Sequence, residues 1–163
     1  MAKFGVVPPE VPVQRSLDLL APKFRDAVLR TLARVAGGRP EWPFETLRTL
    51  ERQEYLFGFG RAYDDGRGKV TKATTALSSW HGFGLAVDVV EKDGTPWDAP
   101  PSFWLDLGTA AELEGLTWGG RWGTPDLPHI QFGKCPASPT QADKDLIIAS
   151  GMHAVWSKYG ADV

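Results

Sequence analysis

Three histidines carry most of the chemical promise of this chain: His81, His129 and His153. His81 and Asp88 bracket a glycine-containing turn, "HGFG", that leads into the apolar run "LAVDVV". His129 opens a second apolar segment, "HIQF", and Asp126 stands three residues before it. Two imidazoles and a carboxylate form a donor set for zinc, which hydrolytic sites usually hold with three protein ligands and a position left for water. The ion brings the pKa of that water down to about 7 and polarises a carbonyl, while a nearby carboxylate takes the proton. If the strands bearing Asp88 and His129 are neighbours, His81, Asp88 and His129 converge on one ion. Asp126 then overhangs the open position.

Each residue also has a plainer reading. A single histidine such as His81 is more often a satisfied structural group than a ligand. Asp88 argues against that reading, because a carboxylate inside "LAVDVV" is costly to bury without a partner. A cation is one such partner and a buried arginine is another. His153 lies in a helical stretch beside Met152, Val155 and Trp156 and reads as a packed or half-exposed helix residue. Asp64 and Asp65 read as solvated loop acids, and "GRGK" is too short to cradle a phosphate. The chain has no H-E-x-x-H, G-x-S-x-G, P-loop or G-x-G-x-x-G.

The elements that must position these groups are mixed helices and short strands. "APKFRDAVLRTLARVAGG" places Phe24, Val28, Leu32 and Val35 at helical spacing, with Pro22 in the first turn and Gly37 as the stop. Phe44–Leu47 reads as a short strand, and Thr49 caps a helix running to about Gly58. "AYDDGRGKVTKATTALSS" reads as a long polar surface loop, and "EKDGTPWDAPP" as turn and loop. "SFWLDLGTAAELEG" predicts a helix with Ser102 as cap and Gly115 as stop. "LTWGGRW" is a short strand entering a glycine turn. A Ser138-x-x-Gln141 capping box with Pro139 predicts one C-terminal helix through "MHAVWSKYG". With no regular βαβ alternation, the fold class is α+β.

At 163 residues, 42% hydrophobic and 23% charged, the chain suits one globular domain, residues 1–163, with a real core. A net charge of −2 provides no basic field for nucleic acid. Cys135 is the only cysteine, so no intrachain disulfide forms, and it reads as structural. The N-terminus has no apolar h-region, and no run approaches the roughly 20 apolar residues of a membrane span. Seven tryptophans are many for this length and belong to core or groove lining.

The stretch from Ser79 to Asp88 matches, position by position, the S-x-H-x-x-G-x-A-x-D signature of the LAS zinc peptidases. That superfamily includes D-Ala-D-Ala peptidases and bacteriophage L-alanyl-D-glutamate endopeptidases. The family's second motif, an acid followed by x-x-His after a tryptophan-glycine segment, is met by "LTWGGRWGTPDLPHIQF". The resemblance covers about residues 44–132. It implies a small antiparallel sheet carrying the zinc site, packed with several helices as in the LAS and hedgehog folds. It implies His81, Asp88 and His129 as ligands of one zinc per chain and Asp126 as general base. It further implies Arg48 as stabiliser of the oxyanion, with Ser79 and Gln53 near the substrate.

The chain is most similar to the single-domain endolysin branch, because Asp126 stands where the D-Ala-D-Ala peptidases generally carry glutamate. The expected activity is cleavage of the L-alanyl-D-glutamate bond in the peptidoglycan stem peptide, during host cell lysis. Two alternatives are a D-Ala-D-Ala or L,D-carboxypeptidase on the same scaffold and a non-catalytic, zinc-stabilised binding module. The resemblance also implies a monomer without a separate wall-binding domain. It would be made in the cytoplasm without a classical signal peptide and reach peptidoglycan after release through the inner membrane.

Overall fold

The computed structural model describes residues 3–35, 41–92 and 96–163. The Phe24–Val35 periodicity becomes helix α1, Pro22–Val35, which buries Phe24, Ala27, Val28, Thr31 and Val35. Gly37, the expected stop, lies outside the described residues. Helix α2, Leu50–Gly58, begins as expected at Thr49, whose hydroxyl accepts from the Arg52 N–H. Helix α3, Pro101–Leu113, packs on α1 and buries Phe103, Trp104 and Leu107.

Four strands make one sheet: β1 Glu41–Glu45, β2 Ala86–Glu91, β3 Thr117–Trp118 and β4 His129–Gln131. Their order is β1-β2-β4-β3, and every neighbouring pair is antiparallel. The fold class is therefore α+β with a small antiparallel sheet, as the sequence pattern predicted. β2 lies inside the sheet and is nearly continuous in apolar residues, with Ala86, Val87, Val89 and Val90 fully buried. Asp88 interrupts that run and pairs in register with His129. Among the described residues no helix is long and apolar enough to cross a membrane.

Four expected boundaries are corrected. The first strand is Glu41–Glu45 rather than Phe44–Leu47, because the chain leaves the sheet at Thr46, whose N–H and hydroxyl both bind the Gln14 carbonyl. α3 starts from Pro100 with Pro101 in its first turn, so Ser102 is already helical and caps nothing. The C-terminal capping box is Thr140 with Asp143, two residues after the expected pair, because the shorter Asp143 carboxylate reaches back to the Thr140 N–H. The expected single helix is two: α4, Gln141–Ser150, and α5, Met152–Tyr159, are divided by Gly151 at φ 87°.

The long polar segment after Gly58 contains one short 3-10 turn, Ala76–Ser78. It is pinned by Arg61, which donates to the carbonyls of Phe57 and Thr71. Asp65 pairs with Arg67 on the surface, and Asp64 accepts from the Gly68 N–H.

Candidate metal centre

His81 sits in a 3-10 turn, Trp80–Phe83, placed directly before β2. Ser79 opens that turn by accepting the His81 N–H, and Gly84 closes it at φ 67°, a conformation that costs a residue with a Cβ far more than glycine. The chain then enters β2 and presents Asp88. Antiparallel pairing sets His129 directly across from it. One ligand atom from each of His81, Asp88 and His129 lies within 4.8 Å of the other two.

Hydrogen bonds fix the state of both imidazoles. His81 Nδ1 lies 3.0 Å from the Thr46 carbonyl, which can only accept, so Nδ1 carries the proton and Nε2 faces the site. Gln131 Nε2 donates to the Pro136 carbonyl, which orients its amide so that Oε1 accepts from His129 Nε2 at 2.9 Å. His129 therefore turns Nδ1 toward the site. The two inward nitrogens stand 3.2 and 3.5 Å from the same oxygen, Asp88 Oδ1. Lone pairs facing a carboxylate at that range repel unless a proton or a metal cation lies among them. The donor set, its inward geometry and its outer hydrogen bonds all fit a metal.

The electrostatics follow from the same arrangement. Burial opposes the charge on Asp88, but His81 and His129 outweigh it and hold the carboxyl well below its usual range. Burial likewise opposes a charge on His129, and the Asp88 carboxylate outweighs it and raises the imidazole's pKa. A cluster that so favours positive charge is suited to a cation.

Asp126 stands at the rim, half exposed, with Oδ2 3.9 Å from His129 Nδ1. Its turn is tight: the Asp126 N–H donates to the Gly119 carbonyl, and a Cβ at Gly119 would lie 2.5 Å from the Asp126 carbonyl oxygen. Partial burial, followed by the neighbouring Asp88 charge, raises its pKa. Trp122 lies against His129, with ring centres 5.1 Å apart.

Arg48 reaches the site at Asp88, its Nη2 3.9 Å from Asp88 Oδ2. Its backbone N–H donates to the His81 carbonyl, and its guanidinium donates to Glu45 and to Gln53 Oε1. Gln53 is fully buried and donates to the Ala73 carbonyl. Of the seven residues implied by the resemblance, His81, Asp88, His129, Asp126 and Arg48 converge. Ser79 and Gln53 stand behind them, one holding the His81 turn and the other holding Arg48.

His153 is far from burial and faces Asp162 and Trp156 on α5. Cys135 is buried, and that burial, with Asp143 adding to it, pushes its thiol up to about 12, which makes it a poor nucleophile. Sequence reasoning overlooked Gln131 and Glu45. The first had a signal: two residues after His129 in a strand, it shares that histidine's face.

Residues 72–132 match a peptidase M15 family model described as D-alanyl-D-alanine carboxypeptidase. In an alignment 99 residues long that covers 54% of the chain, it is 31% identical to the peptidoglycan L-alanyl-D-glutamate endopeptidase CwlK of Bacillus subtilis (strain 168). It spans 58% of that relative's length. The crystal structure of the L-Ala D-Glu endopeptidase ChiX of Serratia marcescens superposes with a TM-score of 0.50 at 25% identity, over 76% of this chain and 91% of that one. The LD-carboxypeptidase LdcB gives 0.49 at 13% identity, over 94% and 77%. The resemblance to the LAS-type zinc peptidases is thus borne out.

Proposed function

We propose that this chain is a zinc-dependent peptidoglycan endopeptidase that hydrolyses the L-alanyl-D-glutamate bond of the stem peptide. The observation that carries the reading is the inward-facing set His81 Nε2, Asp88 Oδ1 and His129 Nδ1, with Asp126 at its rim. The substrate reading is supported by the similarity to CwlK and ChiX, both named as endopeptidases for this bond.

His81, Asp88 and His129 would hold the zinc, which when bound makes a water more acidic and polarises the scissile carbonyl. Asp126 takes a proton from the attacking water and returns it to the leaving amine, so one water is consumed and one peptide bond is broken. Its position beside His129 at the rim of the site suits both transfers. Arg48 directs guanidinium N–H groups at the carbonyl oxygen as negative charge develops there.

Muropeptide mass analysis of purified peptidoglycan tests the reading. Disaccharide bearing only L-alanine, released by the zinc-loaded chain and abolished by a chelator, is the expected product. Loss of one terminal D-alanine would instead support the carboxypeptidase reading, which the matched family model's description favours. One zinc per chain with no product would leave a binding module. The monomeric endolysin role, with release through the inner membrane, is part of this proposal and rests on the sequence resemblance. Lysis of host cells only on co-expression with a membrane-lesion protein tests it.

A further inference from the structure

Glu45 is charged, 2% exposed and outside the set of groups that the proposed reaction uses. It ends β1 directly across from Asp88 in the β1–β2 register. Its Oε1 accepts from both Arg48 Nε and Arg48 Nη2, at 2.7 and 2.5 Å. Its Oε2 accepts from Arg52 Nε at 3.3 Å. Arg52 is itself buried and donates to the Val11 carbonyl, with the exposed Glu10 3.9 Å away. Arg48 Nη1 is held separately by Gln53.

An arginine fixed along its Nε edge and at one terminal N–H has lost most of its rotational freedom. The N–H groups left over, one on Nη1 and one on Nη2, have no hydrogen-bond partner among the described residues, although Nη2 is also ion-paired with Asp88. The Nη2 nitrogen lies 3.9 Å from Asp88 Oδ2, at the edge of the metal site. A guanidinium stabilises developing charge best when it needs no reorganisation at the moment of reaction. A carboxylate in contact with it would ordinarily cancel its charge. Here one carboxylate is shared by two arginines, and Glu10, the other acid near Arg52, is exposed to solvent, so Glu45 does not by itself cancel the charge of Arg48.

We infer that Glu45 is a positioning residue for the proposed hydrolysis: it fixes the guanidinium of Arg48 beside the metal site, while Arg52 offsets its charge. The inference rests on the peptidase reading for its kinetic consequence, and on geometry alone for the clamp itself.

The experiment has two arms. In the first, nitrogen-15 spectra of the whole chain follow the Arg48 Nε–H, assigned by its loss in Arg48→Ala. Slow solvent exchange in the wild type, lost in Glu45→Gln, is expected. A rapidly exchanging Nε–H in the wild type overturns the clamp, even if Glu45→Gln fails to fold. In the second arm, muropeptide release by the zinc-loaded protein is measured for Glu45→Gln. A fall in kcat of about tenfold or more is expected, with KM within about threefold and one zinc per chain retained. In an Arg48→Ala background the same substitution should cost less than about threefold, because Glu45 acts through Arg48. A smaller fall in kcat, or an undiminished effect without Arg48, overturns the positioning role. A wild type that slows Nε–H exchange yet releases no product overturns the peptidase reading and leaves the clamp standing.

Discussion

Asp88 and His129 are Cα partners across the β2–β4 ladder, and Asp88 Oδ1 lies 3.5 Å from His129 Nδ1. The contact joins residues far apart in sequence through one backbone register. It also makes the sheet part of the chemistry, since any cation held there would link two strands in addition to their ladder hydrogen bonds and core packing.

A bound ion should therefore stabilise the fold. At free zinc of about 100 times Kd the gain is about 2.7 kcal/mol, or roughly 5–10 °C in Tm for a chain of this size. Calorimetric scans with zinc and with a chelator measure it. Asp88→Asn should remove most of the difference, and an equal shift in that variant would remove Asp88 from the ligand set.

Asp126→Asn should retain one zinc per chain and lose turnover by about 10²–10⁴-fold, the usual range for a general acid–base group. Elemental analysis and muropeptide release, on the same preparation, separate the two effects. Full activity in this variant would rule out the proposed base.

Gln131→Leu breaks the relay from the Pro136 carbonyl to His129 Nε2 without replacing a proposed ligand. Outer hydrogen bonds of this kind typically contribute about 10–100-fold to metal affinity. Competition with a fluorescent chelator should show a loss in that range. Unchanged affinity would mean that His129 is oriented by the sheet alone.

Asp143 gives a pH-dependent prediction away from the site. Burial pushes its carboxyl pKa up, but hydrogen bonds from Lys158, Thr140 and Tyr159 outweigh this, so the net direction is down. A depressed folded pKa contributes stability above the unfolded value of about 3.9, and the contribution fades as pH falls toward the folded value. Asp143→Asn should cost at least about 2 kcal/mol at pH 7, given several bonds to a buried charge. The Tm gap to wild type should close below about pH 4. A gap that stays constant down to pH 2 would contradict the assignment.

The candidate ligand triad was legible because its parts are locally encoded: a histidine before a tight turn, an acid interrupting an apolar strand, and a histidine opening another. The helix over Leu50–Gly58 was legible for the same reason, since Thr49 caps it with its own side chain. Glu45 was not. Its meaning depends on a strand register that shifts between Pro43 and Glu45, and no local pattern announces which residue will face Asp88. The division at Gly151 was hidden because apolar and helix-favouring residues continue on both sides of it. The Thr140 cap was displaced from the expected Ser138 because two hydroxyl residues two positions apart compete for the cap, and the carboxylate at Asp143 decided between them.

The pairing of Asp88 with His129 also sets which changes in chain length the protein can absorb. Among the described residues of 92–125 none joins the candidate ligand set, so a change of length in an exposed turn of that span, away from β3 and Gly119, should leave the pairing intact. One added residue between Ala86 and Asp88 is different in kind. Alternation along a strand would swing the carboxylate to the opposite face, and the two imidazoles would be left converging on nothing. The site thus tolerates drift in its longest connection and none in its shortest.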